Sequence, residues 1–257
     1  MSVQPVKSKT FGSIPVHVFE SNEQVGQRAA DDFGNLVTSL LSKQDRVAII
    51  LATGNSQLTF MGALSKKKEL PWGKVVVFHM DEYLGMSGTH AASFARYIRE
   101  RLVNIVHPAA FYPIVADSTD AEAEMKRYAE LLAKFPPDIC VLGIGENGHL
   151  AFNDPPADFE TKEILKIVTM DRECRMQQVG EGHFPTIEDV PPQALTLTVP
   201  ALLSAKHVLA VVPEARKAVA VKAALEGPVT PNCPASILRT KPNIVMYLDR
   251  DSAKLVS

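Results

Sequence analysis

Five short runs of consecutive apolar residues limit the folds open to this 257-residue chain more than any other feature. A strand that is apolar at every position is buried on both faces, as in a parallel sheet covered by helices on each side. Such runs therefore indicate the strands of a parallel sheet. They are residues 47–51, 75–78, 139–142, 208–212 and 244–248, with 16–19 as a further candidate.

Between these runs, apolar residues recur at the three-to-four-residue spacing of helices. Predicted helices cover residues 22–43, 91–105, 119–134 and 214–226. Strands that alternate with helices are joined by right-handed parallel crossovers. The sequence therefore predicts an α/β fold, a three-layer α/β/α sandwich around a mostly parallel, Rossmann-like sheet, with residues 1–257 forming a single domain.

The segment 156–193 does not fit this alternation. It is polar, contains several prolines and glycines, and has little regular periodicity. A long irregular segment in a compact domain is typically a lid or a binding element. We therefore expect a lid-like segment at about residues 156–193.

Composition excludes several classes of function. The 27 basic residues are balanced by 29 acidic ones, which argues against nucleic-acid binding. The N-terminus lacks a signal-peptide core, and no apolar run could span a bilayer, so we predict no membrane interaction and a cytoplasmic location. The three cysteines are too scattered for a disulfide framework or a zinc ribbon and fit a reducing compartment. No cluster of His, Cys and Asp has the spacing of metal ligands, so we expect no metal site.

A glycine-rich loop at residues 143–155 follows the strand 139–142 and is the strongest indication of chemistry. In open α/β sheets, ligands bind at the carboxyl ends of the strands. This loop presents the Asn147 carboxamide, the His149 imidazole and the Asp154 carboxylate close together in the sequence. Histidine moves protons at neutral pH, and a nearby carboxylate orients it. These three residues are the first catalytic candidates.

A second loop, comprising Thr53, Gly54, Asn55 and Ser56, follows the strand 47–51 and precedes a predicted helix. Backbone N–H groups at such a turn, together with hydroxyl groups, suit an anion such as phosphate. An ordinary turn in which Ser56 caps the helix is the structural alternative.

An acidic pair, Asp81 and Glu82, follows the strand 75–78. Asp81 is a candidate general base, and Glu82 a candidate structural carboxylate. A helix cap is the alternative interpretation of the pair. His79 precedes them and is compatible with a core position.

Three blocks resemble the glucosamine-6-phosphate deaminases, or isomerase-deaminases, which share a superfamily with the 6-phosphogluconolactonases. They are Leu-Ala-Thr-Gly-Asn-Ser at 51–56, Met-Asp-Glu-Tyr-Leu-Gly at 80–85, and the loop 143–155. The resemblance spans roughly residues 20 to 250. The loop departs from the family pattern at Asp154, where the family carries glutamate, so the carboxylate loses one methylene of reach.

The resemblance implies conversion of glucosamine 6-phosphate and water to fructose 6-phosphate and ammonia, without a cofactor. His149, with Asp154 and Asn147, would open the sugar ring, and Asp81 would move a proton between C2 and C1. Residues 53–56 and Lys217 would bind the substrate phosphate. The family also has a lid arginine that reaches the phosphate, and Arg175 or Arg172 is its candidate here.

Alternatives remain at this stage. A 6-phosphogluconolactonase or another amino- or keto-sugar-phosphate isomerase shares the superfamily, although Tyr83 and Phe152 to Asp154 favour the deaminase. A non-catalytic sugar-phosphate sensor is more remote. The sequence settles neither the hexosamine epimer nor whether the protein is a monomer or a homo-oligomer.

Overall fold

The molecule is built around two β-sheets, and this computed structural model describes residues 3–257. Eight strands of the described chain form the main sheet, in the order β1-β2-β11-β10-β7-β3-β4-β6, and three form a small sheet, in the order β5-β9-β8. The strands are β1 (Lys7–Phe11), β2 (Ile14–Phe19), β3 (Val47–Leu51), β4 (Val75–His79), β5 (Asp81–Tyr83), β6 (Ala110–Tyr112), β7 (Ile139–Leu142), β8 (Leu165–Thr169), β9 (Gln193–Leu197), β10 (His207–Val211) and β11 (Ile244–Asp249).

Every neighbouring pair of the main sheet is parallel except β1 with β2, which form an antiparallel hairpin at one edge. The five apolar runs are β3, β4, β7, β10 and β11. Successive side chains of β3 enter different cores, since Val47 and Ile49 belong to one cluster and Ala48 and Ile50 to the other. The prediction of a mostly parallel sheet buried on both faces is confirmed.

Helices cover both faces of the main sheet. Val25, Ala29, Phe33 and Val37 of α1 are fully buried against one face, and α5 and α8 contribute to the core on the other. Truncating a buried phenylalanine such as Phe33 to alanine typically costs about 3–5 kcal/mol of stability. The helices are α1 (Asn22–Leu41), α2 (Leu58–Leu64), α3 (Phe94–Ile98), α4 (Asn104–Val106), α5 (Ala121–Lys134), α6 (Arg172–Gly180), α7 (Val199–Leu202) and α8 (Ala218–Glu226).

The helix predicted over 91–105 begins later and is interrupted. Ser93 caps α3 through its hydroxyl group, which accepts a hydrogen bond from the Arg96 N–H. A π-helical turn, Arg99–Val103, then joins α3 to α4. Short 3₁₀ turns, Asn55–Gln57 and Ala215–Lys217, precede α2 and α8.

The segment 156–193 is more regular than the sequence suggested. It contains β8 and α6, so the prediction that it lacks regular structure is wrong. β8 pairs antiparallel with β9, which in turn pairs with β5. The side chains of β8 alternate in burial because only part of the strand's surface meets the core. A strand of this kind leaves no continuous apolar run in the sequence. Within residues 3–257, no helix is long and apolar enough to cross a membrane.

Candidate active site

An open cleft lies at the carboxyl ends of the central strands. Connections from β3 run outward through β4 to β6, whereas those from β7 run through β10 and β11 in the other direction. The cleft is therefore at the point where the strand order reverses, the usual ligand site in open α/β sheets. It is lined by Thr53, Gly54, Asn55, Ser56, Asp81, His149 and Lys217 among others.

The His149 ring is held in a space that only a glycine at position 145 allows. A Cβ built on Gly145 would lie 2.2–2.3 Å from the ring atoms of His149. The Gly145 N–H also donates a hydrogen bond of 2.9 Å to the His149 carbonyl group. Gly145 therefore provides the space that the imidazole occupies. His149 is 8 % exposed and lines the cleft.

Asn147 connects His149 to Asp154. Its Oδ1 accepts a hydrogen bond of 3.0 Å from the His149 N–H, and its Nδ2 donates one of 3.1 Å to Asp154 Oδ1 and one of 3.2 Å to Asp171 Oδ2. The three residues singled out in this loop thus form one connected group.

The shorter side chain of Asp154 still reaches the histidine. His149 Nδ1 lies 3.2 Å from Asp154 Oδ1, although the ring N–H is not aligned with that oxygen well enough for a hydrogen bond. Burial alone would raise the pKa of Asp154, but the contacts with His149 and Asn147 outweigh it and hold that pKa below its ordinary value. A carboxylate beside the imidazole orients the ring for proton transfer.

The donor atoms of His149, Asp154 and Cys174 lie within 4.8 Å of one another, and this group could hold a metal ion. A cysteine ligand must be deprotonated. Burial and the nearby charges of Asp154 and Asp171 instead raise the pKa of the Cys174 thiol. The Cys174 thiol is therefore neutral when no metal is bound, and the absence of a metal stays a prediction.

Asp81 and Glu82 are both buried but face different surroundings. Asp81 begins β5 and faces the cleft, where burial and the charge of Glu82 raise its pKa well above the ordinary value. Glu82 accepts hydrogen bonds from Ser93 Oγ at 2.7 Å and from the Ala95 N–H at 2.9 Å, as well as from two further backbone N–H groups. Glu82 therefore anchors the start of α3.

Asp81 follows β4, as predicted, and it also begins a strand of the small sheet, where it lies opposite Thr196 of β9. His79, at the end of β4, is fully buried and accepts a hydrogen bond of 2.8 Å from the Ile114 N–H. Burial lowers the pKa of His79 to about 3. It is a neutral core histidine.

The Thr53–Ser56 loop turns sharply at Gly54, whose φ of +94° favours glycine. Tyr97 Oη donates a hydrogen bond of 3.2 Å to the Gly54 carbonyl group. Ser56 does not cap α2, as no side chain caps this helix or the turn before it. Its hydroxyl group instead accepts a hydrogen bond of 3.2 Å from Arg216 Nη2.

Lys217 lines the cleft together with the Thr53–Ser56 loop and is 3 % exposed. Burial, and next the charge of Arg216, lower its pKa to about 8. Within residues 3–257, no carboxylate lies within ion-pair distance of Lys217 Nζ. A buried ammonium group in a cleft and without an ion-pair partner is suited to an anionic ligand.

Arg175 does not lie with the other predicted residues. Its Nη2 donates hydrogen bonds of 2.6 Å and 3.0 Å to the carbonyl groups of Ile187 and Val190, outside the cleft lining. Arg172, the alternative, is exposed on α6. The structure therefore contradicts the placement of Arg175 at the phosphate site, because α6 turns this side chain toward the loop that follows it.

The sequence interpretation missed two charged residues at the cleft. Arg216 precedes Lys217 and contacts the Thr53–Ser56 loop, and Glu181 at the end of α6 lines the cleft beside that loop. The adjacency of Arg216 to Lys217 was the one available signal. Nothing in the local sequence marked Glu181.

Known proteins resemble this chain along most of its length. Residues 20–246 match the family described as glucosamine-6-phosphate isomerases/6-phosphogluconolactonase. A glucosamine-6-phosphate deaminase of Exiguobacterium sibiricum is 32 % identical over 234 residues, which cover 89 % of this chain and 90 % of that protein. One from Listeria monocytogenes is 35 % identical over 207 residues, which cover 80 % and 86 %.

Solved structures agree with this result. A monomeric glucosamine-6-phosphate deaminase superposes with a TM-score of 0.86 at 28 % identity, covering 93 % of this chain and 99 % of that one. A 6-phosphogluconolactonase from Shewanella baltica superposes with a TM-score of 0.76 at 21 % identity, covering 94 % and 98 %, and shares the fold. The chain thus belongs to the glucosamine-6-phosphate isomerase/6-phosphogluconolactonase family.

Proposed function

We propose that this protein is an isomerase-deaminase that converts glucosamine 6-phosphate and water to fructose 6-phosphate and ammonia. The observation that carries the proposal is one cleft in which a buried carboxylate, a carboxylate-supported histidine and a cationic anion site come together. Isomerisation and deamination of a phosphorylated amino sugar require each of the three: a base for the C2 proton, a group that opens the ring and a site for the phosphate. The names of the relatives from Exiguobacterium sibiricum and Listeria monocytogenes support the same reaction.

The anion site binds the phosphate and leaves the other end of the sugar near the two proton-transfer groups. Binding energy from the phosphate, which does not react, orients C2 and C1 for the chemical step. The Thr53–Ser56 loop and Lys217 supply this remote contact. Asp154 and Asn147 hold His149, which moves a proton from the C1 hydroxyl group to the ring oxygen and so opens the ring.

Asp81 then acts on the open-chain sugar. Its carboxylate removes the C2 proton, the electron pair moves to form a C1–C2 double bond, and the C1 oxygen takes up a proton. Asp81 returns its proton to C1, which leaves a protonated imine at C2. Water adds to this carbon and ammonia departs, giving the ketose. A carboxylate whose pKa is raised by burial is a stronger base than an exposed aspartate once it is ionised.

Three features accompany the proposal. The three cysteines are unpaired, which fits a reducing compartment such as the cytoplasm. None of the proposed steps calls for a metal ion or an organic cofactor. The protein works as a monomer or as a homo-oligomer, since the cleft is assembled from residues of one chain.

The test is an ammonia-release assay with glucosamine 6-phosphate and with other phosphorylated amino sugars, run beside hydrolysis of 6-phosphogluconolactone. We expect ammonia and fructose 6-phosphate from glucosamine 6-phosphate and no lactone hydrolysis. Lactone hydrolysis without ammonia release would assign the chain to the other branch of its family. Ammonia from a different epimer alone would change the substrate and keep the reaction class.

A further inference from the structure

A carboxylate of the chain itself is held at the Thr53–Ser56 loop. Glu181 Oε2 accepts a hydrogen bond of 3.3 Å from the Asn55 N–H and lies 3.4 Å from where a Cβ on Gly54 would be. Its Oε1 is 2.7 Å from Arg216 Nη1. The Glu181 side chain is only 5 % exposed. Glu181 therefore uses the donors that an incoming phosphate would need.

Arg216 is shared among several acceptors. Its guanidinium group lies 3.1 Å from Glu146, 2.7 Å from Glu181 and 2.5 Å from Glu214. The same group donates to Ser56 Oγ. Guanidinium binds carboxylate and phosphate through the same paired N–H···O geometry. The Arg216 side chain can therefore exchange one oxyanion for the other without moving away from the loop.

The charges around this loop allow either the Glu181 carboxylate or a phosphate to be bound there, but not both. Burial alone would raise the pKa of Glu181, but His183 and Arg216 outweigh it and hold that pKa well below its ordinary range. Glu181 is thus a full negative charge beside the buried Lys217. A dianionic phosphate could not share this space with it, since like charges at close range repel strongly in a partly buried site.

The chain next to Glu181 permits its withdrawal. Glu181 follows the last residue of α6, Gly180, and precedes Gly182, whose φ is +79°. A Cβ on either glycine would meet no atom within 4 Å. The last turn of α6 is fixed independently of this loop, because Gln178 Oε1 accepts a hydrogen bond of 2.6 Å from Tyr83 Oη. The carboxylate can thus leave the loop without displacing the helix.

We propose that Glu181 is an internal stand-in for the substrate phosphate, and that Arg216 passes from Glu181 to the phosphate when substrate binds. The inference rests on the proposed function and assigns to Arg216 the role first predicted for Arg175. The exchange makes and breaks only ion pairs and hydrogen bonds. Phosphate binds only to molecules in which Glu181 has left the site. The apparent association constant for any phosphate ligand is therefore the intrinsic one multiplied by the fraction of such molecules.

The test is calorimetric titration of the full-length protein with inorganic phosphate at low ionic strength. Removing the competing charge in Glu181→Gln should tighten phosphate binding by about fivefold or more. Arg216→Gln should weaken it by about tenfold or more, since a partly buried charge pair is lost. Glu173→Gln, which removes an exposed carboxylate from the first turn of α6, is the matched control and should bind as the wild type does.

The double variant Glu181→Gln/Arg216→Gln gives a thermodynamic cycle, in which the gain from removing Glu181 should shrink when Arg216 is absent. Thermal melting of each variant checks that it is folded. Unchanged or weaker phosphate binding by Glu181→Gln, or unchanged binding by Arg216→Gln, would overturn the inference. So would fully additive effects in the cycle.

Phosphate titration needs no turnover, so the two proposals can fail separately. If the wild-type protein releases no ammonia while the variants bind phosphate in the expected order, the function is wrong and the exchange stands. If ammonia is released but the order is not seen, the function stands and the exchange is wrong. Should Glu181→Gln fail to fold, Glu181→Ala is measured in its place.

Discussion

The charged side chains at the two ends of the cleft differ in how fully they are paired. At the phosphate end, Arg216 is surrounded by carboxylates and Glu181 is almost fully hydrogen bonded and buried. At the proton-transfer end, no hydrogen-bond donor within the described chain is within reach of the Asp81 carboxylate. We propose that the phosphate end binds by exchange of partners, whereas the other end leaves the Asp81 carboxylate without a hydrogen-bond donor, which suits the proposed general base.

Asp81 and Glu82 show the same contrast over two adjacent residues. Both are buried, yet four donors surround the Glu82 carboxylate and the Asp81 carboxylate opens into the cleft. Strand alternation sends the two side chains in opposite directions. A carboxylate that is fully hydrogen bonded supports the structure, and one that is not can act on a substrate.

The largest effect should follow from Asp81→Asn, which removes the proposed base while keeping the shape of the side chain. We expect kcat to fall by about 10³–10⁴-fold, at the upper end for loss of a general base. The KM for glucosamine 6-phosphate should change little, because the phosphate contacts are untouched. Steady-state ammonia release measures both. A variant with wild-type kcat would remove Asp81 from the mechanism.

His149→Gln should be next, with a loss of about 10²-fold on the cyclic substrate. Exchange of hydrogen between solvent and C1 of fructose 6-phosphate in the presence of ammonia involves only the open-chain sugar and should be affected less. Ammonia release and deuterium incorporation at C1 are to be measured on one preparation. Equal losses would mean that the roles of His149 and Asp81 are not divided in this way.

At the phosphate end, affinity should fall as Lys217 loses its proton. Lysine is charged below its pKa, so its attraction for phosphate is present below pH 8 and is lost as pH rises through a pKa of about 8. We expect kcat/KM to decline above this pH. In Lys217→Met the loss should be present at all pH values, at about 10-fold to 100-fold in kcat/KM, and the decline near pH 8 should be absent. A decline retained in Lys217→Met would assign it to another group.

The smallest effects concern stability. Because the pKa of Asp81 is raised on folding, the folded state binds more protons than the unfolded chain, so stability falls as pH rises from the ordinary aspartate pKa to the raised one. Asp81→Asn should therefore increase the free energy of unfolding at neutral pH by about 1–3 kcal/mol. Burial raises the pKa of Glu82 as well, but the variant Glu82→Gln places an amide N–H₂ against backbone N–H donors and leaves some of them without an acceptor. This loss should outweigh the gain and decrease the free energy of unfolding by about 1–3 kcal/mol. Urea unfolding of both variants at neutral pH makes the comparison, and changes of the same sign would contradict it.

The sequence predicted those parts of the molecule whose cause is local. Apolar runs such as 47–51 are strands because both their faces are buried, and Gly145 marks a loop that carries a histidine. The cleft residues that follow β3, β4, β7 and β10 could be predicted to meet because parallel strands bring their carboxyl ends to one edge.

What the sequence could not give depends on tertiary packing. The direction of Arg175 depends on how α6 lies against the loop after it, and the pairing of Glu181 with Arg216 joins residues from α6 and from the turn after β10. β8 was missed because its residues alternate in burial and meet the core on part of their surface. No period or motif encodes these contacts.

Asp81 lies in β5, and β5 is hydrogen bonded to β9 and not to any strand of the main sheet. The Asp81 carboxylate is therefore held from two sides, since it follows β4 of the main sheet after one residue and shares the small sheet with β8, within segment 156–193. We expect changes of length between residues 156 and 193 that displace β8 to shift the proposed base relative to the proposed phosphate site. This stretch is consequently a poor site for inserted tags or loop grafts.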